Sequence, residues 1–227
     1  MRSNELTGGP VTMQQRAENT RQAVLLGAAV SFEKFGYGTA SLSTILEHAG
    51  VTKGAMYFHF SSKEELAHAV IDAQHQMAMD GARIIVDRVP TALDALVLVS
   101  QEIARQLMVE PIARGGMRLT LEIGSIRGPV QRPYLDWIDS IRALAARAAR
   151  EGDIVDGVDV EALAKFVVGA FTGVQTLSDV LYGRADLYER LSEMWLLLLP
   201  SIAAPHVLDR VRTLAAGEPR ERPELVT

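Results

Sequence analysis

The densest set of groups able to do recognition chemistry lies between residues 52 and 59: Thr52, Lys53, Gly54, Ala55, Tyr57 and His59, with no acid among them. Most short exposed helices mix glutamate with lysine. A run offering a hydroxyl, an ammonium, a phenol and an imidazole presents hydrogen-bond donors suited to phosphates and base edges. The small residues at its start let the backbone approach a groove floor closely. Just upstream, Ser41 and Ser43 add two more hydroxyls. The plainer alternative is two short helices in a bundle, with Tyr57 and Phe58 as core aromatics.

These residues need elements to hold them. Ser41 can cap a short helix from Leu42 to Ala49 that Gly50 ends, and Thr52 can cap a second from Lys53 to about Phe58. Ile45, Leu46, Ala49, Val51 and Met56 are placed to lock the pair into a helix-turn-helix. A first helix, roughly Arg16 to Phe35, carries Val24, Ala28, Phe32 and Phe35 on one face and stops at Gly36 and Gly38. Ser61 or Ser62, with Glu64 or Glu65 three residues on, is a capping-box pattern opening a long fourth helix to about Val86.

Prolines and glycines divide the remainder into helices near 91–108, 111–123, 131–151, 159–182, 186–199 and 205–215, and no strand pattern appears. The predicted fold is therefore all-α, with about nine to ten helices. A flexible start (1–12) precedes a three-helix helix-turn-helix domain (13–62). A helical body for ligand binding and dimerisation (63–216) follows, and a charged, proline-bearing tail (217–227) is expected to be loose.

Composition narrows the chemistry. With 227 residues and 48% hydrophobic content the chain can bury a real core, and without cysteine it has no disulfide, thiolate nucleophile or Cys-ligated zinc. The net charge of -5 is uneven: residues 1–63 hold six basic groups against four acids, so the acidity lies in the body. There is no secretory signal, and the longest apolar run, Trp195 to Leu199, is too short to cross a bilayer, which predicts a cytoplasmic protein with no membrane partner. None of the five histidines sits in a catalytic motif, so neither an enzyme nor a cofactor is expected. His68, Asp72 and His75 share a helix face that could seat a metal ion, but a solvated face or an interdomain contact is the simpler reading.

The run from Gly36 to Leu66, GYGTASLSTILEHAGVTKGAMYFHFSSKEEL, closely resembles the signature of the TetR family of regulators. That signature has a G-Y/F-x-x-T/A-S/T opening and a G-V-S/T-K-G-x-x-Y-x-H-F-x-S/T-K-E-x-L core. The resemblance implies that Ser41, Ser43, Thr52, Lys53, Gly54, Ala55, Tyr57 and His59 face double-stranded operator DNA, with Lys63 on a phosphate and Phe58 and Phe60 packed inside. Gly54 and Ala55 bring no hydrogen-bonding side chain, so base preference would lean on the other residues and on DNA shape. It also implies a homodimer on a pseudo-palindromic site. Phe166, Val167, Ala170, Phe171, Val174, Leu177 and Leu181 on the eighth helix, with Leu191, Met194, Trp195 and Leu198 on the ninth, are candidates for that interface or for the subunit's own core.

The segment MRLTLEIGSIRGPVQRPYLDW, residues 117 to 137, resembles the γ-butyrolactone-type autoregulator receptors of actinomycetes, as do R-A-E-x-T-R at Arg16 to Arg21 and V-T-K-G-A-x-Y-F-H-F at Val51 to Phe60. In those receptors a tryptophan matching Trp137 lines the pocket for a small hydrophobic signalling molecule. Gln74 is placed to link pocket and head, while Thr120, Thr172, Gln175 and Thr176 interrupt apolar faces with polar groups that a lactone or butenolide could satisfy. Met77, Met108, Met117, Leu119, Leu121 and Ile123 are candidate walls for an alkyl chain. The implied mechanism is a population shift in which ligand favours a state unable to hold both grooves. An efflux regulator for hydrophobic drugs and an orphan pseudo-receptor without a lactone ligand are the rival readings.

Overall fold

A computed structural model of the chain describes residues 12–122 and 131–217. Ten helices follow one another among the described residues: α1 (Met13–Thr39), α2 (Leu42–Ala49), α3 (Lys53–His59), α4 (Lys63–Arg88), α5 (Ala92–Val109), α6 (Pro111–Leu121), α7 (Arg132–Glu151), α8 (Val160–Tyr182), α9 (Leu187–Ile202) and α10 (Pro205–Ala216). No strand is found among them, and one isolated bridge joins Ile154 to Ala203. The all-α reading holds. The expected tail and most of the expected flexible start lie outside the described residues, as does Ile123.

The local chemistry follows the punctuation in the sequence. Thr12 accepts from the Gln15 amide at 3.2 Å and starts α1 at Met13, one turn before the predicted Arg16. Gly36 ends the regular part of α1 at φ 71°, ψ 173°, a conformation that side-chain-bearing residues rarely adopt. The Ser41 hydroxyl accepts from the Thr44 amide at 3.1 Å, Gly50 closes α2 in the left-handed conformation, and the Thr52 hydroxyl accepts from the Ala55 amide at 3.2 Å.

The chain divides into two compact units, and the division falls inside helices rather than between them. Among the described residues, the first unit holds α1 to α3, α4 as far as Ala73, and α6 from Gly115 to Glu122. Its core is Val24, Leu25, Ala28, Phe32, Ile45, Met56, Phe60, Leu66, Ala67 and Val70. Helices approach closely here because glycine stands at two contacts. A Cβ on Gly27 would lie 2.6 Å from the Ala49 amide nitrogen, and one on Gly115 would lie 2.5 Å from the Ala29 carbonyl oxygen.

The second unit holds α4 from Gln74, α5, the first turn of α6, and α7 to α10. Leu93, Leu96, Leu107, Leu144, Leu163, Leu187, Leu191, Trp195, Leu199 and Val211 fill its interior. Trp195 is wholly buried, and its Nε1 donates to the Ser100 hydroxyl at 2.8 Å, so its one polar atom is satisfied. By length and composition α8 is apolar enough to span a membrane, and it packs on α7 and α9.

Candidate DNA-reading helix and effector-facing cluster

The α3 helix is only seven residues long, so it buries a single narrow stripe. Met56 and Phe60, one turn apart, turn inward and are buried. The opposite side is left exposed by that choice. Thr52, Lys53, Gly54 and Tyr57 are exposed, Ala55 and His59 are half-buried, and Ser41 and Ser43 are exposed on the neighbouring helix. A Cβ built on Gly54 meets nothing within 4 Å, so this face is open to an approaching partner. The Lys53 ammonium stands 5.8 Å from the centre of the Tyr57 ring, which keeps cation and phenol together on that face.

One neighbour, Phe58, behaves differently from the sequence reading. Phe58 was expected in the core beside Phe60, but it is 80% exposed and meets the His59 ring edge-on at 5.0 Å. Phe58 lies two residues from both Met56 and Phe60, more than half a turn around the helix from each, so it falls outside the inward stripe. Lys63, expected on a phosphate, donates to the Tyr37 carbonyl at 2.8 Å and to the Ala40 carbonyl at 3.0 Å, with its ammonium 4.5 Å from the Tyr37 ring centre. It ties the end of α1 to the start of α4. Between them, Ser62 accepts from the Glu65 amide at 3.0 Å while Glu65 accepts from the Ser61 amide at 2.8 Å, a variant of the predicted capping box. The hydroxyl and amide of Ser61 hold the Glu65 carboxyl below its ordinary value.

In the second unit, His75 of α4 meets Asp136 and Trp137 of α7. His75 Nε2 lies 3.1 Å from Asp136 Oδ2, and Arg132 Nε lies 3.5 Å from the same oxygen. The His75 and Trp137 rings are 6.1 Å apart, and Tyr134 meets Trp137 edge-on at 5.0 Å. Two buried polar atoms of these ring partners, His75 Nδ1 and Trp137 Nε1, lack a protein partner, as does Gln74 Oε1, next to His75 in the chain. Such atoms are costly unless something else pairs with them.

The other expected ligand residues are less available. On α8, Thr172 donates to the Val168 carbonyl at 2.8 Å, Thr176 to the Thr172 carbonyl at 2.7 Å, and Gln175 to the Thr176 hydroxyl at 2.8 Å. Thr120 belongs to the first unit and donates to the Met117 carbonyl at 2.8 Å. The structure therefore brings His75 to Trp137, puts Gln74 in the same unit as that pair and keeps Thr120 in a different one. Of the expected alkyl-chain walls, Met117 and Leu119 are buried while Met108 and Leu121 are exposed. His68, Asp72 and His75 form no cluster able to hold a metal ion, since His75 turns to Asp136.

Comparison with known proteins settles what this combination belongs to. The family model described as bacterial regulatory proteins, tetR family, matches residues 24–70, and the tetracyclin repressor-like C-terminal domain matches residues 90–204. The A-factor receptor protein of Streptomyces griseus is 37% identical over 215 residues, covering 93% of this chain and 75% of that protein. The chain belongs to the TetR family. A crystal structure described as a gamma-butyrolactone receptor (ArpA-like protein) is 33% identical with a TM-score of 0.75, covering 88% of this chain and 96% of that one. The TetR family protein CprB from Streptomyces coelicolor, studied in complex with its biological operator sequence, is 33% identical with a TM-score of 0.80, covering 91% and 99%.

This TetR protein is thus a DNA-binding transcriptional regulator and not an enzyme, close to the A-factor and butyrolactone receptors. Its α8 and α9 correct the sequence reading of the candidate dimer stripes. Val167, Phe171, Leu191, Met194 and Trp195 are buried in their own subunit, while Phe166, Leu177, Leu181 and Leu197 are more than half exposed. Three residues matter more than their sequence context suggests. His75 looked like part of a polar helix face, and only the fold brings Asp136 to it. Arg118 and Glu122, in the R-L-T-L-E stretch, clasp α1: Arg118 donates to the Glu33 carbonyl at 2.6 Å and Glu122 accepts from the Tyr37 amide at 2.8 Å.

Proposed function

We propose that this regulator is a ligand-released repressor. It binds a pseudo-palindromic operator in the cytoplasm as a homodimer and is freed by a small hydrophobic autoregulator of γ-butyrolactone or butenolide type, so controlling secondary metabolism. The observation that carries the ligand half is the pair of buried, unpartnered atoms His75 Nδ1 and Trp137 Nε1, whose rings lie 6.1 Å apart beside Tyr134. The relatives named for A-factor and gamma-butyrolactone support the class of ligand. The DNA half rests on the exposed α3 face of Lys53, Gly54, Tyr57 and half-buried His59, with Ser41, Ser43, Thr52 and Ala55 around it.

The homodimer is supported by an unpartnered apolar stripe on α8. Phe166, Gly169, Gly173, Leu177 and Val180 follow one another at three- and four-residue steps, all exposed, with Leu197 of α9 81% exposed. A Cβ on Gly169 or Gly173 would meet nothing within 4 Å, which leaves a shallow groove where a second copy's helix can come close. Since α4 runs from the first unit into the second, with Gln74 and His75 just past the boundary, a ligand there acts on a helix that the head also uses. Release requires the ligand to bind the non-operator state more tightly.

The test is displacement of purified full-length protein from inverted-repeat fragments of its own promoter. Butyrolactones or butenolides are expected to dissociate the complex while cationic dyes do not. Response to dyes alone would replace this reading by that of an efflux regulator, and response to neither, across active culture extracts, by that of an orphan pseudo-receptor.

A further inference from the structure

His75 holds more information than its place beside Trp137. Its ring is half-buried, with the side chain 19% exposed, and its two nitrogens have opposite surroundings. Nε2 faces Asp136, whose carboxylate is 37% exposed and also meets Arg132. Nδ1 is buried and has no protein partner, and neither has Nε1 of Trp137, whose ring lies 6.1 Å from that of His75. A carboxylate offers only acceptors, so the ring must donate from Nε2. In the neutral ring that fixes the tautomer and leaves Nδ1 as a lone pair pointing inward.

We infer that His75 is a specificity-determining residue of the effector site: its Nδ1, oriented by Asp136, accepts a hydrogen bond from a hydroxyl on the alkyl arm of a lactone-class effector. This rests on the autoregulator reading above. The neighbouring indole completes the recognition pattern. Trp137 Nε1 can only donate, which suits a ring carbonyl. An effector that fits must therefore bring both a carbonyl oxygen and a hydroxyl hydrogen. A purely hydrophobic drug of the same size brings neither, and it would leave both buried polar atoms unpaired. Asp136 is then a positioning residue, acting through the imidazole.

The experiment uses two γ-butyrolactones that share ring and alkyl arm and differ only in one hydroxyl on the arm, titrated calorimetrically into the full-length protein. Wild type is expected to prefer the hydroxylated compound by roughly ten-fold or more. In His75→Leu that preference collapses to within about two-fold, with affinity for the deoxy compound little changed. His75→Asn, whose amide oxygen can stand near the position of Nδ1, recovers most of the preference. Operator affinity without lactone stays at the wild-type level in both variants, which serves as the folding control.

Equal binding of the two lactones by wild type overturns the assignment, as does a preference that survives in His75→Leu. Should His75→Leu fail to fold, the wild-type comparison and His75→Asn still decide: an Asn variant with no preference where wild type has one sinks the acceptor role at Nδ1. If wild type binds neither lactone, the autoregulator reading itself falls and takes this inference with it.

Discussion

Replacing Gly36 by alanine should loosen the first unit by a margin that can be worked out from its surroundings. At φ 71°, ψ 173°, Gly36 occupies a region nearly closed to other residues, and holding alanine there costs of order 1–3 kcal/mol. The added Cβ would also lie 2.4 Å from Glu122 Oε1 and 3.1 Å from Oε2, so the carboxylate must move. Moving it sacrifices the 2.8 Å hydrogen bond from the Tyr37 amide, a charge-assisted contact of roughly 1.5–3 kcal/mol. The Arg118–Glu122 pair adds little, because Arg118 is 41% exposed. The sum, about 2.5–6 kcal/mol, corresponds to a fall in Tm on the order of 5 °C or more. Thermal unfolding followed by circular dichroism measures it. Gly38→Ala is the control, since a Cβ there meets nothing within 4 Å and φ is not positive. A Gly36→Ala protein melting within about 1 °C of wild type would refute the reasoning about both the backbone and the clasp.

Further expectations concern the reading face, the cap and the apolar stripe. Lys53→Ala should weaken operator binding and reduce the slope of log K against log salt by about one, measured by fluorescence anisotropy at several ionic strengths; an unchanged slope would remove Lys53 from the phosphate contacts. Because Ser61 holds the Glu65 carboxyl below its ordinary value of 4.5, the advantage of wild type over Glu65→Gln should be present above that value and vanish as pH falls through the folded-state pKa beneath it. Acid unfolding curves of the two proteins that run parallel throughout would contradict this. Leu177→Glu, on the exposed side of α8, should turn the protein monomeric in sedimentation and lower operator affinity at least ten-fold, without a change in monomer helicity. A dimer of undiminished strength would move the interface elsewhere.

How far the sequence could be read depended on the range of the interactions involved. Ser41, Gly50 and Thr52 were legible because a cap and its helix lie within three residues of each other, and the structure places all three where that local chemistry requires. Gly36 announced the end of α1 for the same reason. Periodicity also gave Met56 as inward-facing, but it could not say that a helix as short as α3 has room for only one buried stripe, which leaves Phe58 outside. On α8 and α9 nearly every face is apolar, so the pattern alone could not separate Trp195, buried in its own subunit, from Leu197, exposed. Long-range polar contacts left no trace in the local pattern. His75 meets Asp136 across 61 residues and Glu122 meets Tyr37 across 85, and neither pair has a spacing that periodicity could recognise.

The central claim is that operator and effector compete through one protein equilibrium, and coupling measured from both sides tests it most directly. The affinity of the dimer for its promoter inverted repeat would be determined with and without saturating hydroxylated γ-butyrolactone, and the affinity for that lactone with and without saturating operator. Both affinities should fall by the same factor, ten-fold or more, because linkage requires reciprocity. A lactone that binds the free and the operator-bound protein equally well would contradict the account.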